Sequence, residues 1–195
     1  MPPVLDVTVG GVSSNSYCSE TEANTYFTER LPLVPPWVAS GAYNAASLIM
    51  ATRVLDALAQ PFKTFFPTSG GQPAYYKARR HWTGSPATAT QRLAWPRTGM
   101  FDANGNAIAS TVIPQALKEA EAEFAGQLLK ADSTLDNPVA VGGITSVRAG
   151  SVSVSFKDMI EAKVLPDAVL NLLPASWLTE EEITYANQFD FEVLS

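Results

Sequence analysis

The sequence predicts a mainly α-helical protein, a small helical bundle with a short β-hairpin and a β-containing C-terminal extension. Apolar residues recur at three- and four-residue spacing in three segments, which is typical of helices with one buried face. An Asn-Gly pair lies between two short apolar arms, and polar and apolar residues alternate near residue 150. With 195 residues and 46% hydrophobic content, the chain can bury a sizeable core. We expect residues 1–135 to form the helical core and residues 136–195 an extension or arm.

The first helix is predicted over residues 20–30 from a capping box. Ser19 can accept a hydrogen bond from the third helical amide, and Glu22 can reach back to the amide of Ser19. Ala23, Tyr26 and Phe27 then fall on one face, and prolines from position 32 onward end the helix. A second apolar stripe predicts a helix over residues 41–59.

Residues 60–90 interrupt this helical pattern. They are rich in Gly, Pro, Ser, Thr and aromatic residues, which indicates an insertion-like loop region. Residues 74–82 could form a short helix that carries Lys77, Arg79 and Arg80.

A corner, a hairpin and a third helix follow. Pro96 keeps Trp95 out of helical geometry, so Trp95 can bury its ring while Arg97 finds a carboxylate or carbonyl. Asn104-Gly105 predicts a hairpin with arms at 100–101 and 107–108. The third helix is predicted over residues 113–131, with Pro114 in its first turn, Thr111 as a candidate cap and Phe124 facing inward. The glutamates at 119, 121 and 123 could suggest paired carboxylates, but their alternation places Glu121 off the face shared by Glu119 and Glu123. We therefore interpret them as solvated residues of the helix.

Beyond a Gly/Pro linker at residues 132–143, the chain has too little length for an independent core. Residues 146–156 alternate as a strand or hairpin, residues 166–173 suggest a short helix, and residues 179–195 contain five acidic and no basic residues. We therefore expect this arm to take its burial from a neighbouring molecule, by strand addition or by insertion into a groove.

Charge is distributed unevenly along the chain. The net charge is −6, which argues against general nucleic-acid binding. Residues 57–101, however, contain six basic and no acidic residues, whereas residues 102–195 contain 5 basic and 14 acidic ones. Two explanations stay open: neutralisation within one fold, or a head-to-tail contact between copies.

No motif in the sequence commits the chain to catalysis or to a metal site. His81 and Cys18 are the single histidine and cysteine, which excludes multi-histidine zinc sites and an intramolecular disulfide. The segment from Asp102 to Asn106 imitates the start of a calcium loop, but the twelfth position is Ile113 where glutamate is needed, so it is interpreted as a hairpin turn. We expect no enzyme activity, no cofactor and no metal. We also expect no membrane association, because no stretch approaches about 20 apolar residues.

The basic cluster among aromatic residues has three open explanations. Lys77, Arg79 and Arg80 lie close to Tyr75, Tyr76 and Trp82. Such a mixture can form a protein interface, can bind single-stranded nucleic acid by phosphate neutralisation and base stacking, or can pack internally with a guanidinium on Trp82.

The order of motifs between Gln91 and Leu129 resembles a known family. A Trp-Pro-Arg corner, a tight hairpin and a Pro-started helix follow one another, with Tyr17, Ala23, Tyr26 and Phe27 upstream. This order is similar to that of the head–tail connector, or head-completion adaptor, proteins of tailed phages, some of which are labelled DnaT-like single-stranded-DNA-binding proteins. The resemblance spans roughly residues 15 to 130.

The resemblance implies a virion structural protein without catalytic activity. Such adaptors form a ring, generally dodecameric, under the portal protein and dock tail or further connector proteins at the head–tail junction of the virion, after assembly in the host cytoplasm. Non-specific contact with DNA in the channel is compatible with this role. The alternative is a single-stranded-DNA-binding replication accessory protein. The residues expected to make contacts are Lys77, Arg79, Arg80, Trp82, Val152, Val154, Phe156, Trp177, Phe189 and Phe191.

Overall fold

The computed structural model describes residues 3–32, 37–57, 61–67, 73–131, 146–149, 152–155 and 165–184. The helices are α1 (Glu20–Glu29), α2 (Asn44–Asp56), α3 (Gln115–Lys130) and the single turn α4 (Asp167–Leu170), followed by a 3-10 turn at Ala175–Trp177. The strands are β1 (Pro61–Pro67), β2 (Pro73–Trp82), β3 (Ser85–Pro86), β4 (Arg97–Thr98), β5 (Ser146–Ala149), β6 (Val152–Ser155) and β7 (Leu178–Thr184). Within these ranges no helix is long and apolar enough to cross a membrane.

The helical bundle of α1, α2 and α3 confirms the predicted mainly α-helical class. Ser19 Oγ accepts from the backbone N–H of Glu22 at 3.2 Å, and Glu22 Oε2 accepts from that of Ser19 at 2.8 Å, so the capping box forms as predicted. Helix α3 begins two residues later than expected: Pro114 is its N-cap, and Thr111 makes no cap contact. Phe124 is fully buried on the inward face of α3.

The predicted hairpin also forms. Phe101 and Ala107 make a β-bridge, and the N–H of Ile108 donates to the carbonyl of Met100 at 2.9 Å. Gly105 has φ +83°, the left-handed conformation that the turn needs and that glycine adopts without a steric cost. Asp102 accepts from the backbone N–H groups of Asn104 and Asn106, both at 2.8 Å, so its carboxylate is used to fix the turn.

One hydrophobic core joins the bundle to the C-terminal segment. Leu48, Leu117 and Phe124 from the bundle are completely buried, and the same cluster contains Val169 of α4 and Trp177. The C-terminal residues from 165 to 179 therefore bury their apolar side chains within their own chain. The expectation that this part of the arm takes its burial from a neighbouring molecule is wrong.

A three-stranded antiparallel sheet in the order β1–β2–β7 replaces part of the loop region predicted for residues 60–90. The short helix predicted at residues 74–82 is wrong, since this segment is the central strand. Its hydrogen-bonding partner β7 lies about 100 residues further along the chain, and no local pattern reveals so distant a pairing. Hairpin β5–β6, with Val147 opposite Val154, confirms the strands predicted in residues 146–156.

Candidate nucleic-acid interface

Strand β2 brings the basic residues into a defined register with both neighbouring strands. Lys77 lies opposite Lys63 of β1 and opposite Ile183 of β7. Arg79 lies opposite Pro61 on one side and Glu181 on the other. Tyr75 lies opposite Phe65. The sheet thus assembles cations and aromatic residues that are separated along the sequence.

Strand alternation divides these residues between two faces, because successive residues of a strand belong to opposite sides. Trp82 is buried in the core and Leu178, its register partner, packs against that core, so their face is the one that joins the bundle. The other face is called here the Lys77 face. It is defined by the positions in register with Lys77, Tyr75 and Arg79, and consists of Pro61, Lys63, Phe65, Tyr75, Lys77, Arg79, Glu181 and Ile183.

The Lys77 face combines the two residue types that sites for single-stranded nucleic acid use. Three cations, Lys63, Lys77 and Arg79, share it with Phe65 and Tyr75, and Glu181 is its acidic member. Cations neutralise backbone phosphates, and aromatic side chains offer surfaces on which bases stack. Arg80 belongs to the opposite face and is separated from these three.

The acidic strand β7 accounts for part of the charge asymmetry of the sequence. Glu181 and Glu180 lie opposite Arg79 and Arg80 in the register. Opposite charges at directly paired positions stabilise antiparallel strands by roughly 0.2–1 kcal/mol per pair. Of the two explanations left open by the charge distribution, this register favours neutralisation within one fold.

Two of the aromatic residues predicted to make intermolecular contacts are core residues instead. Trp82 is 8% exposed and Trp177 is 2% exposed, and both pack on Trp95, with ring centroids 5.7 and 4.8 Å away. Trp177 also donates its indole N–H to the carbonyl of Phe101 at 2.6 Å. The contact prediction for these two residues is corrected: their rings attach the sheet to the bundle. Val152 and Val154 lie in β6, while Phe156, Phe189 and Phe191 lie outside the described residues.

The Trp-Pro-Arg corner holds the end of β2 in place. Arg97, only 8% exposed, donates to the carbonyls of Thr83 at 2.7 Å, Gly84 at 2.9 Å, Ala94 at 3.0 Å and Trp82 at 3.3 Å. Trp95 is 1% exposed, and the peptide bond between Trp95 and Pro96 is cis. The predicted carbonyl partners of Arg97 are thereby confirmed, and the corner acts as the structural support of the sheet.

The glutamates of α3 correct a second prediction. Glu121 and Glu123 are buried, at 0% and 2% exposure, so a solvated helix side is wrong for both. Glu123 accepts from the guanidinium of Arg30 and from the hydroxyl of Tyr26. A signal for Glu121 was present in the sequence: it lies four residues after the inward-facing Leu117 and three before Phe124.

The hydrogen-bond contacts of Glu121 favour a protonated carboxyl group. Ser16 Oγ lies 2.5 Å from Glu121 Oε1 and 2.6 Å from the carbonyl of Cys18, and Thr52 Oγ1 lies 2.7 Å from Oε1 and 3.0 Å from the carbonyl of Leu48. The two hydroxyl protons leave two of these four contacts without a proton, and a protonated Glu121 supplies one of the two that are missing. Burial raises the pKa of Glu121 to about 8, which agrees with a neutral carboxyl group.

A partly buried carboxylate fixes the corner to α2. Asp56, at the end of α2, accepts from the hydroxyl of Tyr17 and, at 3.2 Å, from the backbone N–H of Ala94. The Tyr17 oxygen in turn accepts from the N–H of Trp95 at 3.2 Å. Desolvation raises the pKa of Asp56 to about 6. Among the described residues, no group of three or more His, Cys, Asp or Glu side chains could hold a metal ion.

Comparison with known proteins gives one family. The family model described as "Putative DnaT-like ssDNA binding protein" matches residues 73–185, more than half of the chain. The matched region starts at β2 and extends through β7, so it includes two strands of the sheet, the Trp-Pro-Arg corner and α3. No curated protein and no solved structure matches the chain significantly.

Proposed function

The chain belongs to this DnaT-like family, and from that premise we propose that it binds single-stranded DNA through the Lys77 face. The observation that supports the proposal most is the register of β1 and β2, which groups Lys63, Lys77 and Arg79 with Phe65 and Tyr75. The proposed function is binding alone: cations of the face neutralise phosphates, and its aromatic residues stack on bases.

The small number of cations sets the strength of binding. Each phosphate neutralised on a single strand contributes a slope of about −0.7 to the dependence of log K on log salt, so three cations predict a slope of about −2. Because the net charge of the chain is −6, we expect modest affinity that depends on this local face. Stacking on an aromatic residue adds about 1–3 kcal/mol per base without demanding a particular sequence.

The test is fluorescence anisotropy of a labelled oligothymidylate titrated with the full chain at several salt concentrations. Lys77→Ala should weaken binding and make the salt slope shallower by about 0.7. Tyr75→Ala should weaken binding with little change in slope, because stacking releases no counterions. The matched control is Lys130→Ala, which removes the same charge at the exposed end of α3.

Two results would contradict the proposal. One is binding that Lys77→Ala and Lys130→Ala weaken equally, which would indicate general charge attraction. The other is no binding to the oligonucleotide at low salt. Circular dichroism melting of each variant would verify that the fold is retained.

The head–tail adaptor function stays a prediction from the sequence resemblance, with portal and tail proteins as its partners at the virion junction. Two observations weaken the support for this function. Strand β7 pairs with β2 of the same chain, which accounts for opposite charges without a contact between copies, and Trp82 and Trp177 are buried in the core. Sedimentation of the full chain distinguishes the two functions, since a ring sediments as a large oligomer without DNA.

A further inference from the structure

A groove lies where the end of α2 meets the N-terminal loop and the loop before the Trp-Pro-Arg corner. Its volume is about 370 Å³, within the range of small-molecule sites in proteins. It is called here the Asp56 groove and is lined by Asn15, Ile49, Thr52, Arg53, Asp56, Ala57, Arg92 and Leu93.

Two guanidinium groups at this groove have hydrogen-bonding capacity to spare. Arg53 and Arg92 are both exposed. Arg92 donates to the carbonyl of Ser13 at 3.4 Å, and the Arg53 side chain has no hydrogen bond or ion pair with another described residue. A guanidinium has five N–H donors in a planar fork that matches the oxygens of a phosphate group. Both guanidinium groups are therefore available to a phosphate in the groove.

The frame of the groove is held by hydrogen bonds that do not involve a ligand. Asp56 accepts from Tyr17 and from Ala94, and the backbone N–H of Arg92 donates to the carbonyl of Gly11 at 3.2 Å. The Asn15 side chain accepts from the N–H of Asp6 at 2.8 Å and donates to the carbonyl of Val4 at 2.9 Å. Because these groups are already held in place, a ligand would lose less free energy in ordering them when it binds.

The groove also offers an apolar surface beside its cations. Ile49 is 8% exposed and Leu93 is half-buried, and Ala57 lines the groove with them. A free phosphate ion would leave these side chains uncovered, whereas a phosphate attached to a flat, largely apolar base would cover them. Two arginines and one carboxylate give the groove a local charge of +1, which suits an anion.

From this arrangement we infer that the Asp56 groove binds a nucleoside phosphate, with the phosphate between Arg53 and Arg92 and the base against Leu93 and Ile49. The ligand can be a free nucleotide or one nucleotide of a DNA strand, because both present the same phosphate and base. The inference does not depend on the Lys77 face.

The experiment is an NMR titration of the isotope-labelled full chain with thymidine 5′-monophosphate, thymidine and inorganic phosphate. We expect the monophosphate to shift the amide signals of Ala57 and Leu93, and thymidine to shift them at least tenfold less at equal concentration. Arg53→Gln combined with Arg92→Gln should weaken the monophosphate affinity at least tenfold. Lys130→Gln, a charge change on another surface, should leave it unchanged.

The same titration contains the results that would overturn the inference. The inference is wrong if the double arginine variant shows the same shifts with the monophosphate as the original chain. It is also wrong if thymidine causes equal shifts, or if inorganic phosphate binds as tightly as the monophosphate. Repeating the titration with an oligothymidylate distinguishes a free nucleotide from a strand, since binding of the strand alone restricts the ligand to DNA. If Lys77→Ala loses oligonucleotide binding but keeps the monophosphate shifts, the Lys77 face and the Asp56 groove are independent sites.

Discussion

The helical bundle and the three-stranded sheet place their charged residues in contrasting ways. In the bundle, Glu121 and Glu123 are enclosed and hydrogen-bonded to fixed partners within the chain. In the sheet, Arg79 and Arg80 lie opposite Glu181 and Glu180, at positions set by strand register. These enclosed carboxyl groups with fixed partners bear on stability and have no access to a ligand. Changes in the bundle should therefore alter the free energy of unfolding, whereas changes on the Lys77 face should alter DNA affinity.

The largest effect should come from the residue that joins the two regions. Trp95 is 1% exposed and packs on Trp82 and Trp177. Trp95→Ala leaves a large cavity at this junction, and we expect it to lower the free energy of unfolding by about 3–5 kcal/mol. Urea denaturation followed by circular dichroism measures the change.

A second tryptophan supplies the control for that measurement. Trp37 is half-buried at the edge of the core and stacks on Phe27 of α1, with ring centroids 4.6 Å apart. Trp37→Ala should cost clearly less than Trp95→Ala. Equal losses for the two variants would show that the junction has no special role, and would remove the structural link between sheet and bundle on which the comparison depends.

An intermediate effect is expected from Glu121 as the pH changes. Burial raises its folded-state pKa to about 8, above its ordinary value of 4.5, so the folded chain retains a proton that the unfolded chain has lost. The contribution of Glu121 to the free energy of unfolding is therefore fully present below pH 4.5. It decreases as the pH rises to about 8, by at most about 1.4 kcal/mol per pH unit. Asp56 changes the free energy of unfolding in the same direction, but its folded-state pKa of about 6 limits this change to pH values below those at which Glu121 acts alone.

Glu121→Gln tests this pH dependence because the amide is neutral at every pH and has nearly the same shape. Unfolding free energies measured from pH 6.5 to 8.5 should fall with pH in the original chain and stay nearly level in the variant. Glu119→Gln, on the half-exposed side of α3, should retain the original slope. A Glu121→Gln variant with the original slope would show that Glu121 is ionised in the folded state.

The two regions also differ in how far the sequence predicts them. The helices follow from apolar spacing and from Ser19 and Glu22, which act within one turn of chain, so their positions were predicted to within about three residues. The sheet depends on pairing between β2 and β7, and residues 74–82 contain no apolar periodicity that separates strand from helix. The grouping of Lys63 with Lys77 and Arg79 appears only once β1 and β2 are paired. The alternation of Glu119, Glu121 and Glu123 was misread because charge was given more weight than helical position.

The smallest predicted effect belongs to the sheet and concerns binding. Glu181 is the acidic residue of the Lys77 face and lies opposite Arg79. Glu181→Gln removes its repulsion of DNA phosphates, so oligothymidylate affinity should rise about two- to fivefold at low salt and less at high salt. The loss of one cross-strand charge pair should lower the free energy of unfolding by no more than about 1 kcal/mol. Glu180→Gln is the matched control, since Glu180 belongs to the face that joins the bundle. An equal gain in affinity from both variants would mean that net charge, and not the Lys77 face, governs binding.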